Sequence, residues 1–171
     1  MLAKTMAEYL NEQLNLELYS ANLYLQTSAY CRYKGFDGAA AFLKIHSQEE
    51  MKHMQRLFDY LSNTGALAFI GLIKEPPVKF NSLENVFKYT YAHEQEITEK
   101  INNLANIALN TKDFLTFNFL QWYIAEQNEE EKLFKSVVDK FTLVGDSGSS
   151  LFLVDKDLQS MASNLQHHTI E

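Results

Sequence analysis

Apolar residues recur at steps of three and four along four long stretches of the chain, which is the spacing of one buried helical face. The residues that break helices fall between these stretches: Gly35, Gly65, Pro76, Pro77 and Gly145. The pattern predicts four long helices, at about 5–34, 37–64, 82–110 and from 113 to just before Gly145. Residues from about 149 to 163 are predicted to form a short fifth helix.

Capping residues mark the expected starts of three of these helices. Thr5 and Glu8 have the spacing of a capping box, and Asp37 can cap the second helix. The run 81–84 resembles a cap for the third helix, and 110–113 forms a short turn before the fourth.

The connection between the second and third helices is unusually long. Residues 65–81 contain Pro76-Pro77, which forbids a continuous helix. Such a loop is rare in a compact domain unless it crosses the length of a helix bundle. We therefore predict an all-α fold: a ferritin-like four-helix bundle with one long crossover and a short fifth helix.

Polar residues interrupt the apolar face of each long helix near the middle of its length. At matching heights they would meet inside the bundle. They are Glu17, Glu50, His53, Glu94, Gln127 and Glu130.

Carboxylates gathered in an apolar interior repel one another and lose hydration, so cations are expected among them. Oxygen ligands with one imidazole suit iron, manganese or zinc. Di-iron bundle proteins use a Glu from two helices and Glu-x-x-His from each of the other two. Glu50 and His53 supply one such pair, whereas Gln127 and Glu130 form an altered second one.

Several residues near these positions allow two interpretations. Glu49, Glu126 and Glu129 flank the ligand positions and form either a solvated charged face or a further shared cation site. We expect His46 to be a hydrogen-bonded core residue rather than a ligand. Tyr24 is expected to pack, with a redox or hydrogen-bonding role as the second interpretation.

Composition restricts the class of protein further. The chain has 15 basic and 22 acidic residues, a formal net charge of −7, which disfavours nucleic acid and anionic membranes as partners. Cys31 is the only cysteine, and the first residues lack an apolar signal segment. We expect a soluble, cytoplasmic protein.

Three segments resemble the bacterial ferritins. They are NEQLNLELYS at 11–20 in the first helix, QEEMKHM at 48–54 in the second, and FNFLQWY at 117–123, which continues to EEEK at 129–132 in the fourth. The resemblance covers nearly the whole chain and is weakest after about residue 165. It implies a ferritin-like diiron domain at 1–165 and a C-terminal tail at 166–171.

The resemblance also implies a set of ligands. One iron site would take Glu17, Glu50 and His53, and the second would take Glu50, Glu94 and Glu130, with Gln127 close by. A third site would take Glu49, Glu126 and Glu129 and share Glu130. Tyr24 matches the tyrosine that this family places beside the centre.

The activity expected from the resemblance is ferroxidase activity and iron storage. Fe²⁺ would be oxidised by O₂ or H₂O₂ and stored as ferric oxyhydroxide inside a shell of twenty-four identical subunits. Leu16, Leu18, Leu23 and Leu25 make the first helix apolar beyond one face, which agrees with burial against another subunit.

Competing functions are weighed by single features. A haem-containing bacterioferritin would carry a second Glu-x-x-His, which Gln127 replaces, although Met51 stands where such proteins hold haem; haem is not expected. A rubrerythrin-type di-iron peroxidase normally adds a cysteine-rich iron site, which one cysteine cannot supply. A metal-free helical interaction module would leave the buried carboxylates unpaired. A DNA-protecting relative would be expected to show a basic tail.

Overall fold

The computed structural model describes residues 2–145 and 147–168, with side chains described as far as residue 165. They form five helices: α1 (Lys4–Tyr33), α2 (Asp37–Asn63), α3 (Leu83–Asn110), α4 (Phe114–Val144) and α5 (Gly148–His168). No strand occurs within these described ranges. The predicted all-α fold, a four-helix bundle with a fifth helix, is confirmed. No helix in this part of the chain combines the length and apolarity that a membrane crossing requires.

The crossover between α2 and α3 lies along α1, where side chains of α1 form hydrogen bonds with the backbone of the crossover. The Asn11 amide donates to the carbonyl of Leu67 (3.0 Å) and accepts from the amide of Phe69 (2.6 Å). One turn later the Asn15 amide pairs with Phe69 and Gly71 in the same way. Near the other end of α1, the Tyr30 hydroxyl donates to the carbonyl of Phe80 (2.6 Å). The crossover therefore spans most of α1, as predicted.

Two of the predicted helix caps are wrong. The structure begins α1 at Lys4 with Ala3 as the capping position and no side-chain hydrogen bond, so Thr5 already lies inside the helix. Asp37 is the first residue of α2 rather than its cap. The cap over 81–84 is confirmed, because the Ser82 hydroxyl accepts from the amide of Asn85 (3.0 Å).

The start of α2 is capped by a residue from the far end of the chain. The Asp155 carboxylate in α5 accepts hydrogen bonds from the amides of Gly38 (3.1 Å) and Ala39 (2.8 Å). A carboxylate at a helix N-terminus satisfies free amides and the helix dipole together. This contact fixes α5 against α2.

The fifth helix is longer than predicted, ending at His168 instead of about residue 163. Its apolar spacing continues, because Val154, Leu158 and Ala162 are buried in the core and Leu165 packs against it. Of the predicted tail, the backbone of 166–168 continues the helix, and residues 169–171 lie outside the described part of the chain.

Two apolar clusters form the core on either side of a polar layer. One is built around Phe42, Phe87 and Phe134, and the other around Leu10, Leu57 and Ile101. The buried carboxylates of the four long helices fall between these clusters along each helix. The fold thus places four carboxylates in the interior, where water does not reach them.

Gly38→Ala is expected to destabilise the contact between α2 and α5. A Cβ atom on Gly38 would lie 1.8 Å from the carbonyl oxygen of Asp155, so the backbone of α5 would have to move. Overpacking of this kind typically costs about 1–3 kcal/mol. Calorimetry should show a lower Tm for this variant and little change for Gly148→Ala, whose Cβ would meet open space. Equal melting temperatures in both variants would contradict this role of Gly38.

Candidate metal centre

Each of the four long helices contributes one almost completely buried carboxylate to the polar layer. The exposed fractions are 1% for Glu17, 3% for Glu50, 1% for Glu94 and 7% for Glu130. No lysine or arginine is buried among the described residues, so no fixed basic side chain shares this interior. Among the described residues, the only candidate positive charges in the layer are histidines.

The first group of possible ligands is Glu17, Glu50 and His53. Their ligand atoms all lie within 4.8 Å of one another, and all three side chains are buried. The His53 Nδ1 lies 3.3 Å from Glu50 Oε2, one helical turn away on α2. The structure therefore brings together the three residues that the sequence predicted for one site.

Two buried side chains support this group, one from α1 and one from α4. The buried Gln13 amide donates to Glu17 Oε1 (2.7 Å) from the preceding turn of α1. The Tyr123 hydroxyl of α4 donates to the backbone carbonyl of His53 (2.7 Å). Such contacts orient ligands before a metal arrives.

Glu94, the carboxylate that α3 contributes to the layer, is held by two donors. The Tyr24 hydroxyl donates to Glu94 Oε1, and the Gln127 amide donates to Glu94 Oε2. The same Gln127 nitrogen also reaches the Glu94 backbone carbonyl (3.1 Å). In this arrangement Gln127 orients a carboxylate, and only its amide oxygen is free to act as a ligand.

A second group of possible ligands contains a residue that the sequence analysis did not expect. His46 Nδ1 lies 3.2 Å from Glu49 Oε2 and 3.3 Å from Glu130 Oε2, and the three side chains meet the spacing of a metal site. His46 is buried in the core, as predicted, but its ring nitrogens make no well-aligned hydrogen bond and only these close approaches to two carboxylates. Glu49 Oε2 and Glu130 Oε2 also lack one. The positions 46, 49, 50 and 53 share one face of α2, which was the available signal.

The other two residues of the predicted third site lie nearer to solvent. The Glu126 side chain is 38% exposed, and its Oε1 lies 3.9 Å from His53 Nε2. The Glu129 side chain is 74% exposed and pairs with Lys132 at 3.4 Å. In the described geometry, Glu49 thus groups with His46 and Glu130.

Burial and mutual repulsion raise the pKa values of three of the four buried carboxyls. Burial, followed by the charge of Glu50, raises the pKa of Glu17 well above its ordinary value. Burial and then Glu94 do the same to the pKa of Glu50. Burial and then Glu130 raise the pKa of Glu94 from 4.5 to about 7.

Glu130 differs because a histidine faces it. Burial, the largest single effect, would raise the pKa of Glu130, but the charge of His46, a hydrogen bond with His46 and the charge of His53 together hold that pKa below its ordinary value. Burial lowers the pKa of His46, but the carboxylates of Glu130 and then Glu49 raise it above its ordinary value. The layer without metal therefore carries shared protons in place of cations.

Binding of a divalent cation is expected to release protons from this layer. The folded protein keeps a proton on Glu94 between pH 4.5 and about 7, whereas the unfolded chain loses it. The stability that this proton provides is complete below the unfolded pKa and is lost as the pH rises through about 7. Binding of Zn²⁺, a redox-inert probe, should therefore release protons near pH 6, where Glu94 is still protonated. Zn²⁺ should raise the Tm more near pH 8 than near pH 6, because the ligands are already ionised at the higher pH. A pH indicator and calorimetry measure both; Zn²⁺ binding without proton release would contradict the assignment.

Comparison with known proteins places this geometry in context. The family model described as Ferritin, ferritin-like domain, matches residues 7–144. The bacterial non-heme ferritin of Escherichia coli O157:H7 is 57% identical over 161 residues, covering 94% of this chain and 98% of that protein. The bacterial non-heme ferritin of Campylobacter jejuni is 47% identical over 162 residues, covering 95% of this chain and 97% of that protein.

Solved structures agree with the sequence relatives. An engineered closed form of the Archaeoglobus fulgidus ferritin superposes with a TM-score of 0.90 at 38% identity, covering 93% of this chain and 97% of that one. The open-pore ferritin of the same archaeon superposes with a TM-score of 0.91 at 38% identity, with 93% and 98% covered. Fold, length and sequence therefore agree over the whole bundle.

Proposed function

This chain belongs to the ferritin family, and on that premise we propose that it is an iron-storage subunit that oxidises Fe²⁺ at a dinuclear centre. The observation that carries the proposal is the layer of four buried carboxylates with no buried lysine or arginine among the described residues. Two divalent cations would balance the charge of four carboxylates. The ligand atoms of Glu17, Glu50 and His53 already lie within 4.8 Å of one another.

The two iron ions would share Glu50. One Fe²⁺ binds Glu17, Glu50 and His53, and the second binds Glu50, Glu94 and Glu130. Tyr24 and Gln127 hold Glu94 in place by donating to its two oxygens. Gln13 holds Glu17 in the same way. A bridging carboxylate keeps two metals at the separation that a two-electron reaction requires.

The substrate iron supplies the electrons. Each Fe²⁺ gives one electron to O₂ or H₂O₂, and hard carboxylate oxygens stabilise the Fe³⁺ that forms. Hydrolysis of Fe³⁺ then releases protons and yields ferric oxyhydroxide for storage. The protein contributes positioning and charge rather than a resident redox group.

An anaerobic Fe²⁺ titration followed by oxygen tests this function. We expect a rapid oxidation phase that saturates at two Fe²⁺ per subunit, followed by slower mineral growth, with oxygen consumption recorded in parallel. Ferric absorbance that appears no faster than in buffer would refute the proposal.

Haem binding is the alternative form of this function. It would use Met51, whose side chain is partly buried against the apolar cluster that contains Met54 and Leu57. Since Gln127 and Glu130 also replace the second Glu-x-x-His pair, we propose the non-haem form.

A third iron site beside the pair remains part of the proposal. It would use Glu49, Glu126 and Glu129 and share Glu130. Because the Glu126 and Glu129 side chains are 38% and 74% exposed, iron there would be wetter and more weakly held than at the paired site. Such a site suits iron that is passing onward.

Glu49→Ala, Glu126→Ala and Glu129→Ala are expected to leave the fast oxidation phase within about twofold of wild type, since none is a ligand of the pair. They should change the amount of iron oxidised per oxygen consumed and the recovery of the centre between additions. Glu99→Ala, an exposed carboxylate on α3, is the control. Loss of the fast phase in any of the three variants would move that residue into the pair; an unchanged ratio in all three would remove the third site.

We further propose that residues 1–165 act as one diiron domain and that twenty-four subunits close into a hollow shell in the cytoplasm. The shell is supported by family membership and by the apolar residues that one subunit leaves exposed, which include Leu67, Phe69 and Leu72 in the crossover. Closed symmetry would bury them without open ends.

A further inference from the structure

A chain of aromatic side chains connects the paired site with the side of the subunit where α1 meets α3. Tyr24 is completely buried, and its ring contacts those of His46, His93 and Phe134. Among these three recorded contacts in the described part of the chain, only the one through His93 leads on to another tyrosine. The centroids of Tyr24 and His93 are 6.4 Å apart, and those of His93 and Tyr19 are 5.5 Å apart.

Among the described residues, one polar contact holds His93 between the two tyrosine rings. Its Nε2 lies 2.8 Å from the Ser20 hydroxyl, and the residue is 7% exposed. It belongs to neither of the two candidate metal-binding groups in the described residues. The His93 ring lies edge-on to a tyrosine on either side, and binding of iron at the paired site does not require an imidazole at this position.

Tyr19, at the end of this row of rings away from the paired site, lies in the wall of a pocket. Tyr19, Tyr89, His93 and Glu96 line a cavity of about 400 Å³ between α1, α3 and the crossover. Burial, then a hydrogen bond with Tyr89, raises the pKa of Tyr19 to about 12, so its hydroxyl keeps a proton at neutral pH. The nearby Glu96 carboxylate can accept that proton.

We propose that Tyr24, His93 and Tyr19 form a path along which an oxidising equivalent leaves the paired site for this pocket. The inference rests on the proposed ferroxidase function, because the oxidant arises there. Electron transfer falls off exponentially with distance, and less steeply through an intervening side chain than across a gap, so the His93 ring between the two tyrosines provides the medium for one transfer step.

The path serves a subunit that holds one Fe²⁺ instead of two when H₂O₂ arrives. Reduction of H₂O₂ to two waters consumes two electrons and two protons, but a single Fe²⁺ supplies one electron. Tyr24 supplies the other electron together with its hydroxyl proton, which the adjacent Glu94 can receive. The products are two waters, one Fe³⁺, a neutral tyrosyl radical and a protonated Glu94, and the two protons that complete the waters are taken from solvent. Without Tyr24, one-electron reduction of H₂O₂ would give hydroxide and a hydroxyl radical.

The second step restores Tyr24. Its radical regains an electron through His93 from Tyr19 and a proton from Glu94. Tyr19 becomes the radical and releases its proton towards Glu96 or solvent. A small dissolved reductant such as ascorbate then restores Tyr19 by giving it one electron and one proton.

Freeze-quench electron paramagnetic resonance tests the path on the complete assembled protein. Protein loaded anaerobically with one Fe²⁺ per subunit is mixed with H₂O₂, and ferric absorbance is recorded in the same mixing experiment. In Tyr19→Phe and His93→Leu, the first tyrosyl radical should persist about tenfold longer than in wild type, equivalent to ~1.4 kcal/mol in the barrier. A spin-trap adduct, located by peptide mass analysis, should form at Tyr19 in wild type and be lost in Tyr24→Phe.

Tyr9→Phe is the matched control, since Tyr9 is also on α1, is 41% exposed and has no ring contact with this chain of residues. Its radical should decay as in wild type. Equal decay in wild type, Tyr19→Phe and His93→Leu would overturn the path, as would an adduct at Tyr19 that survives Tyr24→Phe. Absence of iron oxidation in wild type would instead refute the proposed function.

Discussion

Glu50→Ala is expected to slow the initial oxidation of Fe²⁺ by about 100-fold or more, since even residues that only support a ligand change metal sites by 10–100-fold. Glu50 is the one carboxylate that would serve both iron ions. Its side chain is 3% exposed and lies 3.3 Å from His53 Nδ1, which places it at the centre of the layer. Without it, each metal loses a ligand and the pair loses its bridge.

The same substitution is expected to leave the fold of the metal-free protein intact. Burial and the charge of Glu94 raise the pKa of Glu50 well above its ordinary value, so this carboxylate is an electrostatic burden without metal. Calorimetry should give a Tm for Glu50→Ala no lower than that of Glu8→Ala, an exposed carboxylate on α1. Near-wild-type initial oxidation in Glu50→Ala, recorded by stopped-flow absorbance, would exclude the bridging role.

Leu72→Glu is expected to prevent assembly of the shell while the single subunit still folds. The Leu72 side chain is 101% exposed in the subunit, so it contributes nothing to packing within one chain. Other apolar side chains of the same crossover are also exposed: Leu67, Phe69, Ile70 and Val78. If a neighbouring subunit covers them, a buried unpaired carboxylate at this position would cost several kcal/mol at each interface, roughly enough to dissociate it.

Light scattering at neutral pH measures this effect. Wild type should scatter as a large closed oligomer, and Leu72→Glu as a small species with an unchanged helical circular dichroism spectrum. Lys79→Glu, on the same crossover, adds more negative charge without removing an apolar side chain and should still assemble. A monomeric or dimeric wild type would contradict the shell, and a fully assembled Leu72→Glu would show that the crossover lies outside the interfaces.

The helices could be predicted from sequence because their signals are local. Apolar spacing and the breakers Gly35, Pro76 and Gly145 placed all five helices to within a few residues, apart from the end of α5. The misplaced caps have a different cause. The amides at the start of α2 bind Asp155, more than a hundred residues away, and no local pattern can reveal such a partner.

The polar layer could be predicted for a similar reason. Glu17, Glu50, Glu94 and Glu130 each interrupt an apolar stripe near the middle of a helix, and all four are buried in the structure. Contacts between side chains on different helices could not be predicted from the apolar spacing. That Gln127 donates to Glu94, and that His46 faces Glu130, depends on side-chain direction in three dimensions.

Anomalous diffraction at the iron edge, from crystals soaked anaerobically in Fe²⁺, tests the central claim most directly. Two iron peaks are expected about 3.5–4 Å apart, the spacing of two-metal sites, with Glu50 between them. Glu17 and His53 should bind one ion, and Glu94 and Glu130 the other. A single peak, or iron bound only at exposed carboxylates such as Glu129, would contradict it.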